Sequence, residues 1–476
     1  CGIHYFDSDA YPEPFREKLY MGNIHGNCIN SDSLRRDGST YFATPNDDFL
    51  SANDAWFMPV VQKTGPDGCL YILDWYDRYH CYQDANRDPK GIDRLKGRLY
   101  RVRYRNTPRA RSFDLTQESE DELIARLRTP NVYYRDVAQR LLWERANAQS
   151  LEKLQRLVLD DGEPRKARLH ALWTLIGAGP LDSGFHQELL HHTDATFRAW
   201  GVRAAGNERE VAPQVRDQIV ALVDDSSRDV LLQVVIVARK LQGVDALDVL
   251  YRALANSADD KLIPHIVWQN LHPLLETEGD RFLALVKKRS LSEQANVASI
   301  LPRVLERLLG RSDPDPRPVA ALVEFLLSSD GADPALAGRC LALLASKVQS
   351  HELAGPRLER LRAALDPIVT LVLDSAKSPL HFDAAMLAAT WKDEGAVALV
   401  RKVLVSPDEP EGRRLQALGA LVFAGDPNLL DEVAHVLTEH ASVEFRRGVL
   451  DALGRAEPPD IAGVVLAAYP SMEPEL

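Results

Sequence analysis

Two periodicities divide the chain. Up to about residue 111, apolar positions come in short runs or alternate with polar ones, the period-2 signature of strands. Lys18-Leu19-Tyr20-Met21-Gly22, Cys28-Ile29-Asn30 and Thr40-Tyr41-Phe42-Ala43 read as strands. Arg36-Asp37-Gly38-Ser39 between the last two reads as a hairpin turn, with a glycine that can take positive φ. Cys69-Leu70-Tyr71-Ile72-Leu73 is almost wholly apolar, which predicts a strand buried on both faces. Leu99-Tyr100-Arg101-Val102-Arg103-Tyr104 alternates, which predicts one wet face. A basic connector over residues 105–117 follows, and the period then becomes helical. Ser119 with Glu122 three residues on is a capping box. Leu151, Leu154, Leu157 and Val158 make one apolar stripe, and Leu169, Leu172, Leu175 and Ile176 the next.

The helical part repeats itself. Each unit carries an acidic or Ser-rich turn, a basic residue and an Ala/Leu-rich helix, as at Asp160-Asp161-Gly162-Glu163-Pro164-Arg165 and Thr193-Asp194-Ala195-Thr196-Phe197-Arg198. The matching positions Arg135, Arg165, Arg198, Arg228, Lys261 and Gln294 lie 30 to 33 residues apart, and the pattern resumes near His381, Arg413 and Arg446. Two short helices per unit cannot bury their stripes alone, so about ten such units are predicted to stack on one another. They resemble HEAT-like repeats of a short type. Pro164 is placed at the first helical position, where its missing N–H costs nothing. The recurrent cation has two readings: a ladder of Arg–Asp contacts between turns, or a row of anion-binding sites.

Charge sharpens the division. Residues 1–111 hold 16 Lys+Arg and 15 Asp+Glu, the remainder 41 and 54, so the net −12 lies in the helical part. An acidic helical array argues against a nucleic-acid scaffold. Of the 34 aromatic residues, 17 fall in the first 111, a density that suits strands. No run of 18 apolar residues exists, so no transmembrane helix is predicted, and no signal peptide is visible. Five cysteines do not make a disulfide framework. Cys28, Cys69 and Cys81 read as small buried hydrophobes, or one pair of them as a bridge in an oxidising compartment. His186, His191 and His192 read as surface residues. The chain opens at Cys1 already inside strand-like sequence, so truncation of a longer protein is the expectation. A lipid-modified mature terminus at Cys1 is the other reading.

Four segments carry a family resemblance in their order: Gly22-Asn23-Ile24-His25-Gly26-Asn27-Cys28-Ile29-Asn30, Trp56-Phe57-Met58-Pro59-Val60, Gly65-Pro66-Asp67-Gly68 and Gly97-Arg98-Leu99-Tyr100-Arg101. They resemble the C-terminal blades of soluble sugar dehydrogenases that use pyrroloquinoline quinone. With the repeats behind them, they look more closely like the membrane-bound dehydrogenase proteins of planctomycetes and verrucomicrobia. Those place a β-propeller before HEAT-like repeats and often a cytochrome-c-type domain after. The resemblance implies a β + α multidomain chain. Residues 1–112 would be the last one to two blades of an incomplete β-propeller, and residues 113–476 an α-solenoid of HEAT-like repeats.

It also implies a parent protein outside the cytoplasm, periplasmic and membrane-associated, that oxidises sugars or related alcohols. Pyrroloquinoline quinone and calcium would serve the complete protein, and haem c only with a further C-terminal domain. His25 matches a basic residue that touches the cofactor in that family, a role imidazole can fill near neutral pH; it also reads as an ordinary loop or core histidine. Asn27 and Lys63 complete the implied cofactor set. The chain departs from the family just before Gly65: Met58, Pro59 and Val60 stand where arginines are expected, and Lys63 is the nearest cation. No catalytic residue is carried over, and the fragment alone is expected to be inactive. Asp74, Asp77, Asp84 and Asp88 read as calcium ligands at a strand end, or as solvated turn carboxylates; Pro89 and Leu95 exclude an EF-hand loop. The other function expected of this chain is a non-catalytic propeller–solenoid scaffold that binds a protein partner on its concave face.

Overall fold

A computed structural model describes residues 1–77, 86–89, 95–311, 315–328, 333–439, 441–454 and 460–472. Strand-forming sequence yields two antiparallel sheets. In the first, β1 (Ile3–Tyr5), β2 (Leu19–Asn23), β3 (Cys28–Asp37) and β4 (Thr40–Pro45) follow one another as a meander, and β5 (Leu50–Ser51) pairs with the start of β3. In the second, β6 (Pro59–Thr64), β7 (Leu70–Asp74) and β8 (Arg98–Val102) lie in order. The two sheets share a core of Phe6, Tyr11, Tyr20, Ile29, Phe57, Leu70 and Ile72. Their backbones approach closely at Gly22, where a Cβ would stand 2.1 Å from the Pro59 carbonyl oxygen.

The sequence pattern marked the region of β1 only as strand-like and missed β5 and β6. β5 is two residues long, and β6 begins at a proline and carries Gln62-Lys63 without alternation, so neither shows a period of its own. The expectation that the Leu70 strand is buried on both faces needs correction. Leu70 and Ile72 are fully buried, but Leu73 is 46% exposed beside its partner Leu99 at 63%. The described strands form a five-strand sheet and a three-strand sheet.

The chain divides into two compact units, Cys1–Val249 with Asp259–Ile266, and Leu250–Ala258 with Val267–Leu476. The first unit holds both sheets and α1 (Glu120–Arg126), α2 (Val132–Glu144), α3 (Ala148–Leu159), α4 (Arg165–Ala178), α5 (Ser183–Leu190), α6 (Ala195–Ala205), α7 (Pro213–Ala221) and α8 (Arg228–Val237). Helices α9 (Ala246–Asn256) and α10 (Ile263–Leu271) run through the division. The second unit continues with α11 (Leu275–Val286), α12 (Ala295–Leu309), α13 (Pro316–Leu327), α14 (Pro334–Gln349), α15 (Gly355–Leu373) and α16 (His381–Ala389). It ends with α17 (Glu394–Val405), α18 (Glu411–Ala424), α19 (Leu429–Thr438), α20 (Val443–Leu453) and α21 (Ile461–Ala468).

Within each unit, helices pair with their chain neighbours and stack on the helix two further along, the arrangement of a HEAT-like solenoid. Thus α2 packs on α4 and α6 on α8, and α14, α16, α18 and α20 follow one another in a row. Between α4 and α6 the rings of Trp173 and Trp200 meet at 5.5 Å. The predicted stripes are core: Leu154, Leu157, Val158, Leu169, Leu172 and Leu175 are buried together, with Leu151 and Ile176 at the margin.

The acidic and Ser-rich turns are helix caps. Ser119 and Glu122 form the reciprocal capping box, and Asp182, Asp194 and Asp393 accept first-turn N–H groups. Pro164 sits one position earlier than expected, as the N-cap of α4.

The recurrent arginine is internal, which decides between its two readings. Arg135 donates to the carbonyls of Thr129 (2.6 Å) and Pro130 (2.8 Å), Arg168 to Val158 (2.8 Å) and Arg198 to His192 (2.8 Å) and Thr193 (3.0 Å). Arg414 and Arg446 do the same to Leu404 and Glu439. Each ties the end of one helix to the start of the next. Arg198 adds a two-pronged bond to Asp225 (2.8 and 2.9 Å). This corrects the sequence alignment of the units: the equivalents of Arg135 and Arg198 are Arg168 and Arg414, not Arg165 and Arg413. The exposed Arg165 pairs sideways with Asp194. His186 is also corrected: it is buried and bonds the Gly201 carbonyl at 2.8 Å, with its pKa lowered by burial. Cys28 and Cys69 are buried free thiols, and Cys81 lies outside the described residues.

Candidate functional site

The sheets are fastened to the helix ends of the first unit at two places. Near the start of the repeats, Asp7, just beyond β1, pairs with Arg135 and with Lys166 (2.6 Å), and Lys166 also reaches Glu17 (2.8 Å). Asn131, which caps α2, donates to the carbonyls of Gly65 (3.0 Å) and Pro66 (3.1 Å). The Gly-Pro-Asp-Gly turn is therefore held on a helix terminus. Asp67 of that turn pairs in addition with Arg101 on β8.

At the second place, the β3–β4 hairpin tip lies on later repeats. Arg36 forms a two-pronged pair with Asp229 at the start of α8, and Lys261 reaches Asp37 at 3.0 Å. Asp260 accepts the Ser39 N–H (2.6 Å) and hydroxyl (2.9 Å), and also the Leu262 and Ile263 N–H groups (2.9 and 2.8 Å) that open α10. Gly38, at φ +63°, lets the turn lie flat on Asp260: a Cβ there would be 2.4 Å from the carboxylate. Burial alone would raise the Asp260 carboxyl, but these hydrogen bonds hold it below its ordinary value.

Two histidines stand near the first fastening. His4 on β1 bonds the Thr64 hydroxyl at 2.8 Å, and burial together with the Lys63 charge lowers its pKa to about 4. His170 on α4 bonds Gln139 at 2.8 Å and is lowered to about 4 by burial and the Arg135 charge. Both are neutral in the fold at pH 7, while the unfolded chain keeps the ordinary value near 6.5. Between those values the unfolded state binds protons that the folded state does not, so stability is complete above about pH 6.5 and falls as the pH drops towards 4. A loss of about 1–2 kcal/mol per histidine is expected by about pH 5. Thermal unfolding against pH should show it, and His170→Gln should give a shallower slope.

The residues expected to hold a quinone do not converge. His25 is exposed in the β2–β3 turn. The Asn27 amide is committed to the carbonyls of Ala55 (3.2 Å) and Phe57 (2.9 Å), at the leading end of β6. Lys63 is exposed near the far end of β6, four residues or about 13 Å along the strand from Pro59. One cofactor's carboxylates would not meet all three, and no step is derived through a quinone.

Asp74 is buried, with one carboxylate oxygen accepting from the Met58 (2.7 Å) and Tyr76 (2.9 Å) N–H groups. Asp77 is also buried, and Asp84 lies outside the described residues. Calcium takes six to eight oxygens, and among the described residues no three acidic, His or Cys side chains come together as a metal site.

The second unit holds a groove of about 1410 Å³ along the row α14, α16, α18 and α20. Met386, Leu415, Val422 and Phe423 face it, with Ala342, Ala345 and Gly419 leaving room between them. The sequence carried one sign of it, a glycine in the middle of the Ala/Leu-rich α18. Nothing local marked Asp229 or Asp260, whose hairpin partners are about 200 positions away in a chain read by short windows.

A domain family of unknown function (DUF7133) matches residues 1–106. No curated protein matches the sequence. Among solved structures, the karyopherin Kap121p bound to the SUMO protease Ulp1p is 13% identical with a TM-score of 0.45, over 74% of this chain and 42% of that one. Kap121p bound to the extreme C-terminus of the protein phosphatase Cdc14p is 14% identical with a TM-score of 0.42, over 74% and 43%. This chain thus spans less than half the length of those chains, and likenesses at this level carry no functional inference. No described helix is long and apolar enough to cross a membrane.

Proposed function

We propose that the chain is a protein-binding scaffold, a HEAT-like helical array with a β module fastened to its helix ends. The observation that carries this is the open groove on stacked helices. A volume of about 1410 Å³ exceeds the roughly 300–1,000 Å³ of small-molecule pockets, and its facing side chains are mostly apolar. The β module is read as part of a propeller. Its two sheets pack face to face, while apolar side chains on the outer faces, Leu73, Trp75 and Leu99 on one and Ile3 and Tyr5 on the other, stay exposed, as blades awaiting neighbours would leave them. A sugar substrate, a quinone and an extracytoplasmic site rest on the family resemblance alone, and the residues carried over from it do not gather.

The test pairs two measurements on the purified chain. Selection from a displayed peptide library should enrich a sequence family that binds saturably. Equilibrium dialysis with pyrroloquinoline quinone and calcium should show no stoichiometric uptake. Stoichiometric quinone binding with no enriched peptides would return the dehydrogenase reading and remove this one.

A further inference from the structure

We propose that the α14–α20 groove docks an amphipathic helix of a partner protein, with basic side chains on that helix reaching Asp383. This rests on the scaffold reading and names the surface and the partner's chemistry.

Size and backbone chemistry select a helix. A helix with its side chains is about 10–12 Å across, an object suited to a long open groove rather than a closed pocket. The walls are helices whose own backbone groups are paired along their lengths, so they offer no strand edge to an extended peptide. A ligand that satisfies its own backbone fits here, and an extended one would leave its N–H and C=O groups against Met386, Leu415 and Phe423.

Gly419 is the second observation. Glycine is unfavourable inside a helix against alanine, so an interior glycine calls for a packing reason. Two other glycines in these helices have one: a Cβ on Gly448 would meet the Leu415 side chain at 2.7 Å, and one on Gly338 the Asp383 carboxylate at 2.8 Å, whereas Gly412 lies in the first turn of α18. Among the described residues, nothing lies within 4 Å in front of Gly419. The chain itself does not need the space, but an approaching helix would use it.

Charge sets the partner's sign. Asp426 also lines the groove, but its carboxylate is spent on Arg401 at 2.9 and 2.7 Å. Asp383 is half-buried, and no described residue donates a hydrogen bond to it; burial raises its carboxyl against the opposing Arg413 charge. Lys392 and His351 are the basic groups among the lining residues, and the His351 ring lies tilted against Phe423, centroids 5.4 Å apart. The 54 Asp+Glu against 41 Lys+Arg of the helical part would steer a basic partner in from a distance.

The experiment uses the full chain and three labelled synthetic peptides, read by fluorescence anisotropy at low and high salt. One is a helix with a Leu/Ala face flanked by lysines, one has glutamates in their place, and one is a scramble of the first that cannot form an apolar face. The lysine helix should bind saturably, at least tenfold tighter than either control. Gly419→Leu, which fills the floor with a good helix former, should weaken it at least tenfold. Asp383→Asn should weaken it severalfold and flatten the salt dependence. Gly419→Ala is the folding control and should raise the unfolding temperature. Equal binding of the lysine and glutamate helices, or full binding by Gly419→Leu, overturns the proposal. If the library of the preceding section still yields binders that Gly419→Leu does not touch, the scaffold stands and this groove assignment falls; if no peptide binds at all, both fall.

Discussion

Replacing Arg135 by alanine should destabilise the first unit by about 3–5 kcal/mol, the cost of breaking a buried, multiply bonded charge. Its side chain is 1% exposed, and its guanidinium is held by two carbonyls and by Asp7. Alanine leaves those carbonyls without a donor, opens a cavity the size of a long side chain, and cuts one of the ties between sheets and repeats. Asp7 keeps Lys166, so the loss is not wholly electrostatic. Arg135→Lys should recover only part of it, because one ammonium on a flexible stem cannot satisfy three acceptors set for a planar fork. Denaturant unfolding followed by tryptophan fluorescence reads the effect. The same measurement separates two alignments of the repeats. Arg168→Ala should cost several kcal/mol, since that guanidinium is buried, while Arg165→Ala should cost no more than about 1 kcal/mol, because its bridge to Asp194 is solvent-exposed. Equal costs would show that the ladder has been assigned to the wrong arginine.

The second large effect is expected at Asp260. Asp260→Ala removes four hydrogen bonds from one 6%-exposed carboxylate, two that open α10 and two that seat the hairpin tip. A lost N-cap costs about 1 kcal/mol and charge-assisted bonds to buried donors more, so a total of about 2–4 kcal/mol is expected. Asp260→Asn divides the two roles. Its remaining carbonyl oxygen can still cap Leu262 and Ile263, while its amide faces the Ser39 N–H donor to donor, so the cap should survive and the hairpin should lift. Hydrogen exchange at Ser39 should rise sharply in both variants, and at Ile263 only in the alanine variant. An unchanged Ser39 amide in Asp260→Ala would show that the hairpin is held elsewhere. The pH dependence has a definite sign. The folded carboxyl is held below its ordinary value, so its contribution is present above about pH 4 and fades as the pH falls below that.

Local patterns were legible where one short window carries the whole signal. The helical stripes from Leu151 to Ile176, the Ser119 capping box and the acidic turns follow from periods and capping chemistry that neighbouring residues complete among themselves. Most of the longer strands were visible for the same reason. Strands β5 and β6 were not, because two residues and a proline-headed run show no period until another strand pairs with them. The arginine ladder was half legible. The spacing revealed that a cation recurs, but two candidates stood three residues apart in α4 and one apart in α18, and only burial against the preceding helix end distinguishes Arg168 from Arg165.

The candidate sites divide along the same line. The sequence determined that a strand-rich segment precedes an acidic helical array, since composition and periodicity are local sums over the residues themselves. The family resemblance also grouped His25, Asn27 and Lys63, and the tertiary structure puts His25 in the β2–β3 turn, the Asn27 amide at the leading end of β6 and Lys63 near its far end, because strand pairing and not spacing decides which side chains share a neighbourhood. The same pairing carried Ser39 to Asp260 and Arg36 to Asp229, and helix stacking aligned Ala342, Gly419 and Gly448 along one groove. Contacts between residues so far apart in the chain are set by how whole elements pack their apolar faces, a free-energy balance that no single segment contains.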